Sequence, residues 1–224
     1  MTGSVRIASR SGLADPLRTA AEFRHDPCAS RHRRPESFRR RPNWQANSNQ
    51  RIAEQVGRLV EAARAAGELV IWILHSEPGS GTVFDPEGGY VRPMDDLHPL
   101  PGEPLLVKTS INAFTTTNLH QQLTQRGVRE VVICGIRTEQ CCETTARVAS
   151  DLGFDVTFVT DATATSAIAR AGAPEDQTVA ELDADPLTLS AAAIIERTER
   201  ILAARGFATI ASTDDIVARV AVAR

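Results

Sequence analysis

Between Asn47 and Gly67, apolar residues recur at helical spacing, with Ile52, Val56, Leu59, Val60 and Ala63 on one face and charged residues between them. The pattern predicts an amphipathic helix entered through Asn47 or Ser48 and closed by Gly67. The next stretch, ELVIWILHS over 68–76, is a continuous apolar run of strand length, the mark of a strand buried on both faces. LLVK (105–108), EVVICG (130–135), DVTFVT (155–160) and FATIAS (207–212) read as further strands. Helical patterns lie between them: TTNLHQQLTQRG closed by Gly127, EQCCETTARVASDLG closed by Gly153, SAAAIIERTERILAARG opened by Ser190, and finally STDDIVARV. Buried strands alternating with amphipathic helices over short connections predict an α/β fold: a doubly wound, mostly parallel sheet of about six strands with helices on both faces. Residues 77–104 and 162–187 read as loops, and no element is assigned before Asn43.

Composition narrows the picture. With 224 residues, 42% hydrophobic and 24% charged, the chain suits one globular domain. No apolar run approaches the roughly 18–20 residues of a membrane span, and the first residues show no apolar h-region before a small-residue cleavage site, so a cytoplasmic protein without membrane partners is expected. The four cysteines (Cys28, Cys134, Cys141, Cys142) have neither disulfide-framework nor zinc-site spacing, and reduced thiols without a metal are expected. Arginines in the first 42 residues give that segment a net charge of +6 against −9 for the remainder. Without aromatic or glycine punctuation they do not form a nucleic-acid recognition segment.

The basic residues themselves single out one position. Of 25, all are arginine except Lys108. Where any positive charge suffices the chain uses arginine, so a retained lysine points to a compact ammonium whose pKa is tunable. Ligands of doubly wound sheets bind outside the carboxyl ends of the strands. Lys108 ends one strand and Cys141 opens the helix after another, so the two are predicted to converge there. Unpaired N–H groups and the dipole at a helix start favour thiolate at Cys141. Cys142, about 100° further around the helix, is expected to pack in the core, as Cys134 does.

The run GIRTEQCCETTARVASDLGFDV followed by TDAT resembles the nucleophile segment of the isochorismatase-like cysteine hydrolases, and KTSINAFTTTNL resembles their lysine segment, with Asn112 in place of a serine. The resemblance covers residues 36–224. It implies a Cys–Lys–Asp site in which Cys141 attacks a small amide, ureido or carbamoyl substrate through a thioester, with Lys108 holding charge in place. It implies an oxyanion hole from the backbone N–H groups of Arg137 and Cys141. It implies no cofactor, and a homodimer or homotetramer. Nicotinamidase-type members carry a metal-binding Asp-x-His after the second strand; HSEPGSG stands there instead, so no metal is expected. Phe38, Trp44, His75, Asn112, Phe114 and Thr138 lie on or beside the expected pocket, where substrate contact and packing are both open. Thr138 is expected to shape the loop before Cys141, and Arg147 to form an ion pair.

The family's aspartate ends the first strand, shortly before the phenylalanine that matches Phe38. Here that place is held by Arg33 within ASRHRRP, a segment whose charges a central strand cannot bury. Codons compatible with Cys28–Pro35, read one base on, give Ala-Pro-Leu-Val-Ile-Asp-Val, and a base lost near codon 35 restores the frame at Glu36. Residues 1–35 are therefore expected to be an aberrant segment, disordered or translated out of frame, and residues 36–224 the hydrolase domain. Loss of the aspartate makes a catalytically impaired or non-catalytic member the alternative. Cys141 and Arg147 also satisfy the C-x5-R spacing of cysteine phosphatases, but without the histidine before the cysteine or a glycine in the loop.

Overall fold

A computed structural model of the chain describes residues 4–9, 36–174 and 177–222. Six strands form one sheet: β1 (Ser4–Ser9), β2 (Leu69–His75), β3 (Leu105–Lys108), β4 (Glu130–Ile136), β5 (Asp155–Ala164) and β6 (Thr209–Ala211), in the order β3-β2-β1-β4-β5-β6. The pairs β2–β3, β4–β5 and β5–β6 are parallel, as βαβ connections require. Helices α1 (Ile52–Ala65) and α6 (Thr213–Val222) cover one face. The other face carries α2 (Leu119–Gln125), α3 (Glu143–Asp151) and α5 (Ala191–Ala204), whose apolar residues join a second core cluster.

The strongest patterns are realised closely. In α1 the buried residues are Ile52, Ala53, Val56, Leu59, Val60 and Ala63. Asn47 and Asn49 precede it as successive turns, accepting from the N–H groups of Asn49 and Arg51 at 3.0 Å each, so the helix starts later than Asn47 or Ser48 as caps would place it. Ser190 caps α5 by accepting from Ala193 N–H at 3.1 Å. β2 and β4 are buried along almost their whole lengths, as continuous apolar runs demand. β5 runs four residues beyond the predicted strand, to Ala164, and the predicted loop 162–187 contains α4 (Val179–Ala184). A reciprocal capping box of Thr178 and Glu181 starts that helix.

The centre of the sheet departs from expectation. β2 and β4 each present an inner row of backbone N–H and C=O groups that must be paired when buried. Ser4–Ser9 supplies the pairing, although no element was assigned before Asn43. It runs antiparallel to both neighbours, with Ser4 opposite Ile73, Arg6 opposite Ile71 and Ile133, and Ser9 opposite Glu130. Parallel halves thus flank a reversed central strand. A 3-10 turn, Pro42–Ala46, also precedes α1. Cys28 and Arg33, with the rest of 10–35, lie outside the described residues. Among the described residues no helix is long and apolar enough to cross a membrane.

Candidate active site

Lys108 closes the edge strand β3, which exposes Leu105 and Val107 yet buries its lysine. Among the described residues the ammonium end has three partners. Nζ donates to the Ser110 carbonyl at 2.7 Å, and lies 3.4 Å from His75 Nδ1 and 3.5 Å from Cys141 Sγ. Burial pulls Lys108 down to about 8, with the Cys142 sulfur acting in the opposite direction.

Cys141 reaches this point through an unusual strand exit. Pairing of β4 with β5 shifts register between Ile133 and Gly135. Gly135 has φ 126°, a conformation that side chains rarely adopt, so glycine is the residue suited to the bulge. The Ile136–Arg137 peptide is cis. A single π-helical turn, Thr138–Cys142, then precedes α3, with Cys142 N–H donating to the Arg137 carbonyl at 3.1 Å. Cys141 therefore sits in a widened turn ahead of α3. Thr138 Oγ1 donates to Thr163 Oγ1 at 2.8 Å, and Thr163 Oγ1 donates to the Thr160 carbonyl at 2.7 Å. These bonds tie the turn to the extended end of β5.

The adjacent thiols belong to opposite faces. Cys141 is fully buried in the cluster that contains Phe38, Trp72 and Ile136, whereas Cys142 lies in the cluster with Ile133, Ala146 and Phe114.

His75 ends β2 in register with Lys108 and is buried. Its Nε2 lies 3.1 Å from Glu77 Oε1. Burial first, and the Lys108 charge second, hold His75 below the ordinary imidazole range. Phe84 stands edge-on to both His75 (5.8 Å) and Phe38 (5.4 Å), making an aromatic wall beside the pair. Trp44 lines a small cleft with Phe38, Arg41, Ile136 and Arg137. Burial and the neighbouring Arg41 both lower Arg137 from the usual guanidinium range.

The remaining candidates are engaged elsewhere. Asn112 Oδ1 accepts from the N–H groups of Phe114 (2.8 Å) and Thr115 (2.9 Å), closing the turn after Lys108. Phe114 stacks on Phe154 with centroids 6.1 Å apart, in the core cluster of Cys142. Arg147 donates to Glu143 Oε1 at 2.9 and 3.1 Å and lies 4.6 Å over the Phe207 ring. It is the ion pair expected of it, and the C-x5-R spacing forms no phosphate cradle. Arg33, the place expected for the aspartate, lies outside the described residues. Among the described residues no cluster of His, Cys, Asp and Glu could hold a metal ion. Glu77 and the Ser110 carbonyl are the partners that sequence reasoning missed. Glu77 lies two positions past a strand-terminal histidine, its only signal, and a backbone carbonyl leaves no signal at all.

The fold and this buried amine–thiol pair define an α/β protein that gathers these side chains at the carboxyl edge of its sheet. The isochorismatase domain model matches residues 35–183, and the chain belongs to the isochorismatase family. It is 31% identical over 121 residues to the isochorismatase family protein YrdC of Bacillus subtilis strain 168, covering 54% of this chain and 65% of that one. It is 49% identical over 61 residues to nicotinamidase 3 of Arabidopsis thaliana, covering 27% and 31%. The chain thus spans less than two thirds of either relative's length. An isochorismatase from Pseudomonas putida KT2440 has a structure similar to this one, with a TM-score of 0.68 and 29% identity over 81% of this chain and 84% of that chain.

Proposed function

We propose that this chain is a cysteine hydrolase cleaving the C–N bond of a small amide, ureido or carbamoyl compound. The observation that carries the reading is the 3.5 Å approach of the chain's one lysine to Cys141 inside a buried site. A thiolate beside an ammonium is the nucleophile such chemistry needs. Sulfur attacks the carbonyl, and the oxyanion that develops is received by the backbone N–H groups of Arg137 and Cys141. The C–N bond breaks as the leaving amine takes a proton from the Lys108 ammonium, giving a thioester. Water then cleaves the thioester, one of its protons returning to Lys108, and the acid and the Cys141 thiolate are released. Similarity to a nicotinamidase supports amide chemistry.

A panel of small amides, nicotinamide and ureido acids among them, tests this by ammonia release and by the mass of an acyl adduct on Cys141. Turnover and adduct are expected for the natural chain and neither for Cys141→Ala. Adducts mapped to another cysteine would overturn the assignment. The second reading, an impaired member, has its own support: among the described residues, none of the partners of Lys108 is a carboxylate. Acylation of Cys141 without turnover would favour it.

A further inference from the structure

An ammonium has three N–H donors and no acceptor. Each of the three neighbours of Lys108 Nζ must therefore accept: the Ser110 carbonyl at 2.7 Å, His75 Nδ1 at 3.4 Å and Cys141 Sγ at 3.5 Å. The carbonyl accepts, and so does a thiolate. An imidazole nitrogen accepts only when it carries no proton, so the tautomer of His75 decides whether the third donor is satisfied.

Glu77 settles the tautomer. Its Oε1 lies 3.1 Å from His75 Nε2, and an ionised carboxylate only accepts, so Nε2 carries the proton and Nδ1 offers its lone pair to Lys108. Glu77 is itself fixed: Thr82 Oγ1 donates to its other oxygen at 3.0 Å, and its N–H donates to the Phe84 carbonyl at 2.9 Å. The opposite tautomer would aim an N–H at an ammonium and a lone pair at a carboxylate, losing both bonds. A protonated His75 would set two cations 3.4 Å apart inside a buried site, where charges are costly. With Lys108 as an ammonium, every contact is satisfied when Glu77 is ionised, His75 is neutral with hydrogen on Nε2, and the Cys141 sulfur accepts.

We propose that His75, oriented by Glu77, is a positioning residue of this site, taking the third N–H of Lys108 and so holding the ammonium against Cys141. The proposal deepens the hydrolase reading and rests on Cys141 as the reactive thiol. It supplies an anchor for Lys108 that no described carboxylate provides. A further titratable group, Cys142, acts on Lys108.

The test is alkylation of Cys141 by iodoacetamide between pH 5 and 9, assigned to Cys141 rather than Cys142 by tandem mass spectrometry. In His75→Leu the midpoint of the rate–pH curve is expected to rise by about one unit, which lowers the rate at pH 7 about tenfold. In His75→Asn, whose side-chain oxygen can accept in place of Nδ1, the midpoint is expected to stay near that of the natural chain. Glu77→Ala is expected to shift it in the same direction as His75→Leu, and it gives the reading should His75→Leu fail to fold. An unshifted midpoint in both His75→Leu and Glu77→Ala overturns the proposal, as does an equal shift in His75→Asn and His75→Leu, which would mark a purely steric role. Alkylation needs no substrate, so the two readings fail separately. A His75-dependent curve without amide turnover removes the hydrolase, whereas turnover with unshifted variant curves removes the relay.

Discussion

Lys108 illustrates how one residue carries opposed demands. Its burial disfavours the ammonium, so its folded pKa, about 8, lies below the unfolded value of 10.5. The sign follows from linkage: the folding penalty is present in full below about pH 8 and is relieved as pH rises from there towards 10.5. Lys108→Met is accordingly expected to abolish hydrolysis while stabilising the fold at pH 7 by about 2 kcal/mol, with the advantage shrinking by pH 10. Denaturant unfolding at both pH values measures this, and a destabilised Lys108→Met at pH 7 would refute it. Thr138→Val, which leaves Thr163 Oγ1 without its donor, is expected to cost about 1–2 kcal/mol in the same measurement. At this scale the approach of Lys108 to Cys141 was legible in the sequence, one being the chain's solitary lysine and the other lying within a spaced motif. The contact of Glu77 with His75 was not, because it depends on which imidazole nitrogen the carboxylate faces, a property of geometry.

Among the elements, α3 owes its attachment to a carboxylate. Buried Glu143 accepts from Arg147 on its own helix and from Arg197 and Thr198 Oγ1 (2.9 Å) on α5. Removing one member of such a buried cluster leaves uncompensated charge. Glu143→Ala is expected to lower stability by about 3 kcal/mol, read as a shift in the denaturant midpoint at unchanged slope. Strands β2 and β4 were legible because burial on both faces leaves continuous apolar runs. Helix α4 was missed for the opposite reason: it buries none of its residues, so it leaves no apolar period, and only the Thr178–Glu181 capping pair betrays it. The π-helical turn was equally invisible, since its residues fit an ordinary helix start.

At the scale of the whole molecule, the sheet was readable from its flanks and not from its middle. SVRIAS has the length but not the continuous apolar run of a central strand; what recruits it is the unpaired inner backbone of β2 and β4. The family match begins at residue 35, the last residue of the segment expected to be aberrant. Replacing residues 1–35 by an apolar strand carrying aspartate three positions before Glu36 is therefore expected to raise both melting temperature and kcat. A replacement that lowers both would mean that the reversed strand is the one this sheet is built for. Sequencing the coding DNA across codons 25–40 shows directly whether a base has been lost.

The burial of Lys108 also has a practical side. An amine-acylating reagent finds a surface furnished with arginine, which it does not modify, and a single ε-amino group hidden at the sheet edge. Acylation of the peptide containing residue 108 thus becomes a clock for opening of the Lys108 pocket: slow in the native chain and fast once the edge strand lifts.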